Sequence, residues 1–149
     1  MKRIVYGLLV LAAMLIPTQP QELEKLKAVE LIRISQEGEL IRIETDTGDW
    51  GRGENITQAM ENLKDTAPGT IYLDTTAFLL LQKDDPTWTR ELGSYLKETV
   101  RVCLCEGEMK SEDAAEYLRV HPPEMRLLEY GKGNSVQVLT AENGRFNLK

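Results

Sequence analysis

The stretch Ala77–Cys105, AFLLLQKDDPTWTRELGSYLKETVRVCLC, decides the fold. Its opening, Phe78-Leu79-Leu80-Leu81, is almost continuously apolar, which predicts a central strand covered on both faces. Asp85-Pro86 then opens a helix, the carboxylate serving as cap and the proline, with φ already helical, filling the first turn. Trp88, Leu92, Tyr95 and Leu96 fall on its inner face. In Val100–Cys105, Val102 and Leu104 alternate with Arg101, Cys103 and Cys105, the period of a second strand. Strand, helix and strand in succession place helices against a sheet.

Working outward, Ala28–Ile34 and Leu40–Thr47 are strand candidates, and Gln36-Glu37-Gly38-Glu39 between them predicts a hairpin. Gly48-Asp49-Trp50-Gly51-Arg52-Gly53 reads as a glycine turn into a helix. Asn55 caps that helix, Gln58 completes a capping-box variant, and Ile56, Ala59, Met60 and Leu63 form one apolar face. Pro68-Gly69 ends it, and Thr70–Leu73 is strand material. Downstream, Ser111 caps a third helix with Ala114, Ala115 and Leu118 inward, stopping before Pro122-Pro123. The tail predicts two short strands, Met125–Leu128 and Val136–Leu139, joined through Gly131-Lys132-Gly133-Asn134. The expected order is ββαβ(β)αβα, then ββ. This is an α/β (α+β) fold, a single mixed sheet carrying about three helices, in one domain over residues 21–149.

Ahead of it, Met1–Pro20 (MKRIVYGLLVLAAMLIPTQP) sets Lys2 and Arg3 before the apolar run Ile4–Ile16. That is the layout of a signal peptide or an N-terminal membrane anchor, and the run is shorter than the about 20 residues a spanning helix needs. It predicts export, with the body at the outer face of the cytoplasmic membrane or secreted, and leaves cleavage open. Gln21–Lys27 is a charged connector that has room for one helical turn. The 149 residues carry a net charge of −6. Beyond residue 20, 16 basic groups face 24 acidic ones, or −8. Such a body is a poor match for nucleic acid, whose binding rests on cationic side chains.

Candidate chemistry is sparse. Gly51-Arg52-Gly53 lacks the third glycine of a dinucleotide fingerprint, since Ile56 stands there, and no Lys-Ser/Thr follows. Cys103 and Cys105 share one strand face about 7 Å apart, too far for a comfortable bridge, and read as two buried thiols. With His121, two cysteines fall short of a metal site, and no third group orients a thiol–histidine pair. Asp46/Asp49 and Asp84/Asp85 read as loop acids, Asp85 as the helix cap and the others in solvent. No cofactor, metal or catalytic residue is expected. The contact candidates are Trp50, Arg52 and the Gly131–Asn134 loop with Lys132, because tryptophan and arginine concentrate interface energy.

Two stretches resemble the Ger(x)C family, which contains the C subunits of spore germinant receptors. Gln21-Glu-Leu-Glu-Lys-Leu-Lys-Ala-Val-Glu-Leu-Ile32 is similar to the connector and first strand that follow that family's lipid-modified cysteine, although no such cysteine precedes it here. Gly51-Arg-Gly-Glu-Asn-Ile-Thr-Gln-Ala-Met-Glu-Asn-Leu63 resembles its G-x-G-x-(T/S)-I-x-E-A-I-x-N-L region. The following strand, Asp-Pro helix, strand and Ala114-Ala-Glu-Tyr-Leu118 come in the family's order, so the resemblance covers about residues 21–120. It implies a short relative of the family's N-terminal domain. Such a relative would be non-enzymatic, extracytoplasmic and membrane-associated, and would act in germination or sporulation by contact with protein partners such as membrane receptor subunits. The alternatives are a small secreted thiol hydrolase using Cys103 or Cys105 with His121, and a freely secreted binding or inhibitor module.

Overall fold

The computed structural model describes residues 26–149; Met1–Pro20, for which export is the expectation, and most of the connector lie outside the described residues. Seven strands form one mixed sheet in the order β4-β3-β2-β6-β7-β8-β9. They are β2 Leu31–Glu37, β3 Leu40–Thr45, β4 Trp50–Gly53, β6 Phe78–Leu81, β7 Arg101–Glu106, β8 Val138–Glu142 and β9 Arg145–Leu148. The middle four run parallel, with antiparallel hairpins at both flanks. A separate parallel pair joins β1 Leu26–Ala28 to β5 Thr70–Tyr72. The helices are α1 Ile56–Thr66, α2 Pro86–Leu92 and α3 Ser111–Val120. The fold is the mixed α/β class expected, with three helices on a mixed sheet.

Two apolar layers sandwich the sheet. Ile32, Ile34, Ile41, Ile43, Leu79, Leu81 and Val102 face α1 and α2, while Leu31, Phe78, Leu80, Cys103, Cys105 and Leu139 face α3. Every residue of β6 is buried, as its unbroken apolar run requires. The β2–β3 turn is Gly38-Glu39 with Gly38 at φ +65°, the positive first position of a type II′ hairpin. In α1, Asn55 Oδ1 accepts from the Gln58 amide at 2.9 Å, and Gln58 Oε1 accepts from the Glu54 amide at 3.1 Å. The box therefore closes one residue earlier than expected. Asp85 caps α2 through the Thr87 amide, and that hydrogen bond, with Lys83, holds its carboxyl below the ordinary value against the upward push of burial.

Several expectations need correction. The glycine turn before α1 is a strand, β4, and the strand expected from Ala28 begins at Leu31 as β2, with Leu26–Ala28 paired elsewhere as β1. Gly51 and Gly53 are there because α1 lies directly on them. A Cβ at Gly51 would sit 2.3 Å from the Ala59 carbonyl oxygen, and one at Gly53 would sit 2.4 Å from the Ala59 amide nitrogen. Helix α2 ends at Leu92, so Tyr95 and Leu96 pack from the turn beyond it. Ser111 is the first residue of α3, whose cap is Lys110 without a side-chain bond.

The tail also differs from expectation. Met125–Leu128 makes one isolated bridge, Arg101 to Arg126, and runs into a 3₁₀ turn. The closing hairpin is β8–β9 around Asn143-Gly144, both with positive φ, as a type I′ turn demands. The acids expected in solvent carry structure instead. Asp46 Oδ1 accepts from the Glu30 and Leu31 amides, Asp49 pairs with Lys27 at 2.9 Å, and Asp84 accepts from the Tyr130 hydroxyl.

Candidate functional site

Alternation along β4 places Gly51 and Gly53 under α1 and turns Trp50 and Arg52 to the opposite side of the sheet. On that side α3 covers the middle strands and ends above β3, where Ser111 Oγ donates to Glu44 Oε1 at 2.7 Å. The outer halves of β3 and β4 are left without a covering helix. Cross-strand register sets Arg42 opposite Arg52 and Glu44 opposite Trp50.

The result is a connected strip. The Arg42 and Arg52 guanidinium carbons lie 4.7 and 4.9 Å from the Trp50 ring centre, within cation–π range. Glu37 bridges the two arginines, 2.9 Å from Arg52 Nη2 and 3.3 Å from Arg42 Nη1, and Glu44 takes the other Arg42 nitrogen at 3.3 Å. The carboxylates offset the repulsion of two adjacent guanidinium groups and fix them against the indole. Trp50 nonetheless remains 44% exposed, and Leu40 at the end of the same face is also exposed. On the rim of the sheet, Asn62 Oδ1 accepts from the Arg52 amide at 3.0 Å and Thr66 Oγ1 donates to the Trp50 carbonyl at 3.3 Å. Side chains of α1 thus take one outward N–H and one outward C=O of this edge, and what the strip offers across its face is its side chains.

Trp50 and Arg52, both expected as contacts, are thereby brought together. Lys132 is not. Its neighbour Tyr130 packs into the core beneath α1 and α2, on the other face of the sheet. Sequence reasoning missed Glu37, Leu40, Arg42 and Glu44. The alternation in Leu40–Thr45 marks Arg42 and Glu44 as one polar face, and reading Trp50-Gly-Arg-Gly as a strand would have set that face beside Trp50 and Arg52.

Cys103 and Cys105 are both free and buried against α3. Burial pushes both thiols up, Cys105 to about 11 despite the nearby Arg33, so neither is a ready thiolate. His121 caps the C-terminus of α3, exposed and stacked on Tyr117 at 4.8 Å between ring centres. Among the described residues no hydrogen bond joins it to either cysteine. Also among them, no three His, Cys, Asp or Glu side chains converge as metal ligands, and no helix is long and apolar enough to cross a membrane. Comparison with known proteins returns nothing to lean on: no family profile, no curated protein and no solved structure matches the chain.

Proposed function

We propose that this chain is an exported, non-enzymatic binding module that works at the outer face of the membrane through protein contact at the Trp50 strip. The carrying observation is an exposed indole held by two ion-paired arginines on the part of the sheet that no helix covers. Tryptophan and arginine are the residue types that dominate interface energies. Fixing them in advance reduces the side-chain entropy lost on docking. The basic-then-apolar layout of Met1–Ile16 supports export, and the Ger(x)C resemblance supports a germination or sporulation setting with a membrane receptor subunit as partner.

The test is a photo-crosslinking residue at position 50 of the full chain in its native host, with position 61 on the opposite side of the sheet as control. A discrete adduct in the membrane fraction at position 50, absent at 61, is the expected result. No adduct at 50, or the same adducts at both positions, overturns the contact site. Recovery of the full chain in the cytosol overturns export.

A further inference from the structure

The sheet has a second edge, and it is built differently from the first. The Val138 and Lys149 backbones exchange two hydrogen bonds, 2.8 and 3.1 Å, which fixes the phase of the β8–β9 ladder. Pairs in an antiparallel ladder alternate, so Thr140–Asn147 and Glu142–Arg145 are the bonded pairs. Phe146 and Leu148 therefore direct their N–H and C=O groups away from β8. Among the described residues nothing bonds to them, whereas on β4 side chains of α1 meet two of the corresponding groups, the Arg52 N–H and the Trp50 C=O.

Hollows flank this open edge on both sides. Between β9 and α3 lies a groove of about 1060 Å³, with Phe146, Tyr117, Val120 and His121 in its walls. The Tyr117 and Phe146 rings stack 5.4 Å apart, and Val120 is 71% exposed. Along the other side a hollow of about 670 Å³ is lined by Thr140, Glu142, Arg145, Asn147 and Lys149. One side joins an aromatic and apolar patch, Phe146, Tyr117 and Val120, to a polar wall that holds Glu108, Asp113, Glu116, Arg33 and Lys110. The other carries two cations and one acid, in a chain of net charge −6.

We infer that β9 receives an extended segment of a protein partner as an added strand, with apolar side chains alternating with acidic ones. Main-chain bonds to Phe146 and Leu148 supply attachment, and alternate side chains enter the two hollows. Residues toward α3 meet Phe146 and Val120. Those on the other face meet Arg145 and Lys149, and opposite charges across a strand pair attract. A second copy of this chain is disfavoured as the occupant. Pairing two β9 strands through Phe146 and Leu148 sets Arg145 against the partner's Lys149 on one face, and like charges directly opposite are destabilising. This surface is separate from the Trp50 strip and does not depend on it.

The test uses a fluorescein-labelled peptide, Ser-Glu-Val-Glu-Val-Glu-Ser, titrated with the full chain and read by anisotropy, beside its Lys-for-Glu counterpart and a version N-methylated at alternate amides. The acidic peptide binds, N-methylation on the edge-facing amides abolishes binding, and Arg145→Glu weakens it by about tenfold while admitting the Lys peptide. Leu148→Pro removes an outward donor without touching the β8 ladder and abolishes binding as well. Should that variant not fold, the charge exchange at exposed Arg145 still decides. Absence of binding at about 1 mM, equal binding of both peptides, or indifference to N-methylation overturns the proposal. So does a concentration-dependent dimer of the chain alone that Leu148→Pro dissolves.

Discussion

Strand β4 has two faces, and the four residues Trp50-Gly51-Arg52-Gly53 show how differently they are constrained. Toward α1 the helix backbone lies so near that no side chain fits, and only glycine satisfies the geometry. Away from α1 no helix lies over the strand, and the chain places its exposed tryptophan and an arginine there, in contact with side chains of the same face. The buried face is dictated by packing. The open face is free to be specified by what it meets, which is why the contact proposal rests there.

The sharpest way to break this comparison is to place an alanine on each face. Gly51→Ala brings a Cβ to 2.3 Å from backbone atoms of Ala59 and Leu63. Since α1 must then lift from β4, urea unfolding should show a loss of about 3 kcal/mol or more, or no cooperative transition. Arg52→Ala removes more atoms and should change stability by less than about 1 kcal/mol. Comparable losses for the two variants would mean that the outer strip is part of the core.

A second contrast lies within the outer face, between its part under α3 and its bare part. Burial raises the Cys105 thiol from 9 to about 11, so the folded state holds that proton more tightly than the unfolded chain does. The associated stability is fully present below pH 9 and is lost as pH rises toward 11, up to about 3 kcal/mol. Unfolding curves under reducing conditions should fall across that window, and the fall should be shallower but not absent for Cys105→Ala, because the buried Cys103 thiol is raised as well. An equally steep fall in the variant would assign the alkaline loss to other groups.

The elements legible in the sequence are those whose determinants are local. Phe78–Leu81, the apolar face of α1 and the Asp85-Pro86 cap all follow from neighbours in the chain. Those that were illegible depend on distant partners. Glycine counts as turn punctuation, so β4 is hidden until α1 is seen resting on it. Pairing of Leu26–Ala28 with Thr70–Tyr72 leaves no mark in either segment, and Asp46 looks solvated until the Glu30 and Leu31 amides arrive. Asn143-Gly144 is a local hairpin signal, and it competes in the sequence with the glycines at 131 and 133, which open no hairpin. Of the candidate site, Trp50 and Arg52 were legible by residue type, and the Glu37–Arg42–Glu44 support was not, because cross-strand register creates it.

Smaller effects sharpen the same comparison. On the packed side, Asn55→Ala removes the side-chain acceptor at the start of α1 and should lower stability by about 1 kcal/mol in thermal or urea unfolding. The Glu91 carboxylate, which accepts from the Ile56 amide at 3.1 Å, limits the loss by holding an adjacent group. A loss well above that would show that α1 docking on the β4 glycines depends on its first turn being closed.

The least costly substitution is the most informative about the strip. Glu37→Gln weakens two half-exposed ion pairs, to Arg42 and Arg52, and should change stability by about 0.5 kcal/mol or less, diminishing further in salt. Its effect belongs in the order of the indole. Trp88 is only 4% exposed and Trp50 is 44% exposed, so acrylamide quenching of tryptophan fluorescence reports mainly on Trp50. Without the bridging carboxylate, the two guanidinium groups repel each other and move off the ring, and quenching should increase while the unfolding midpoint hardly moves. If instead quenching is unchanged, the arginines rest on Trp50 without help from Glu37. The pre-ordering that distinguishes this strip from an ordinary exposed tryptophan would then lose its cause.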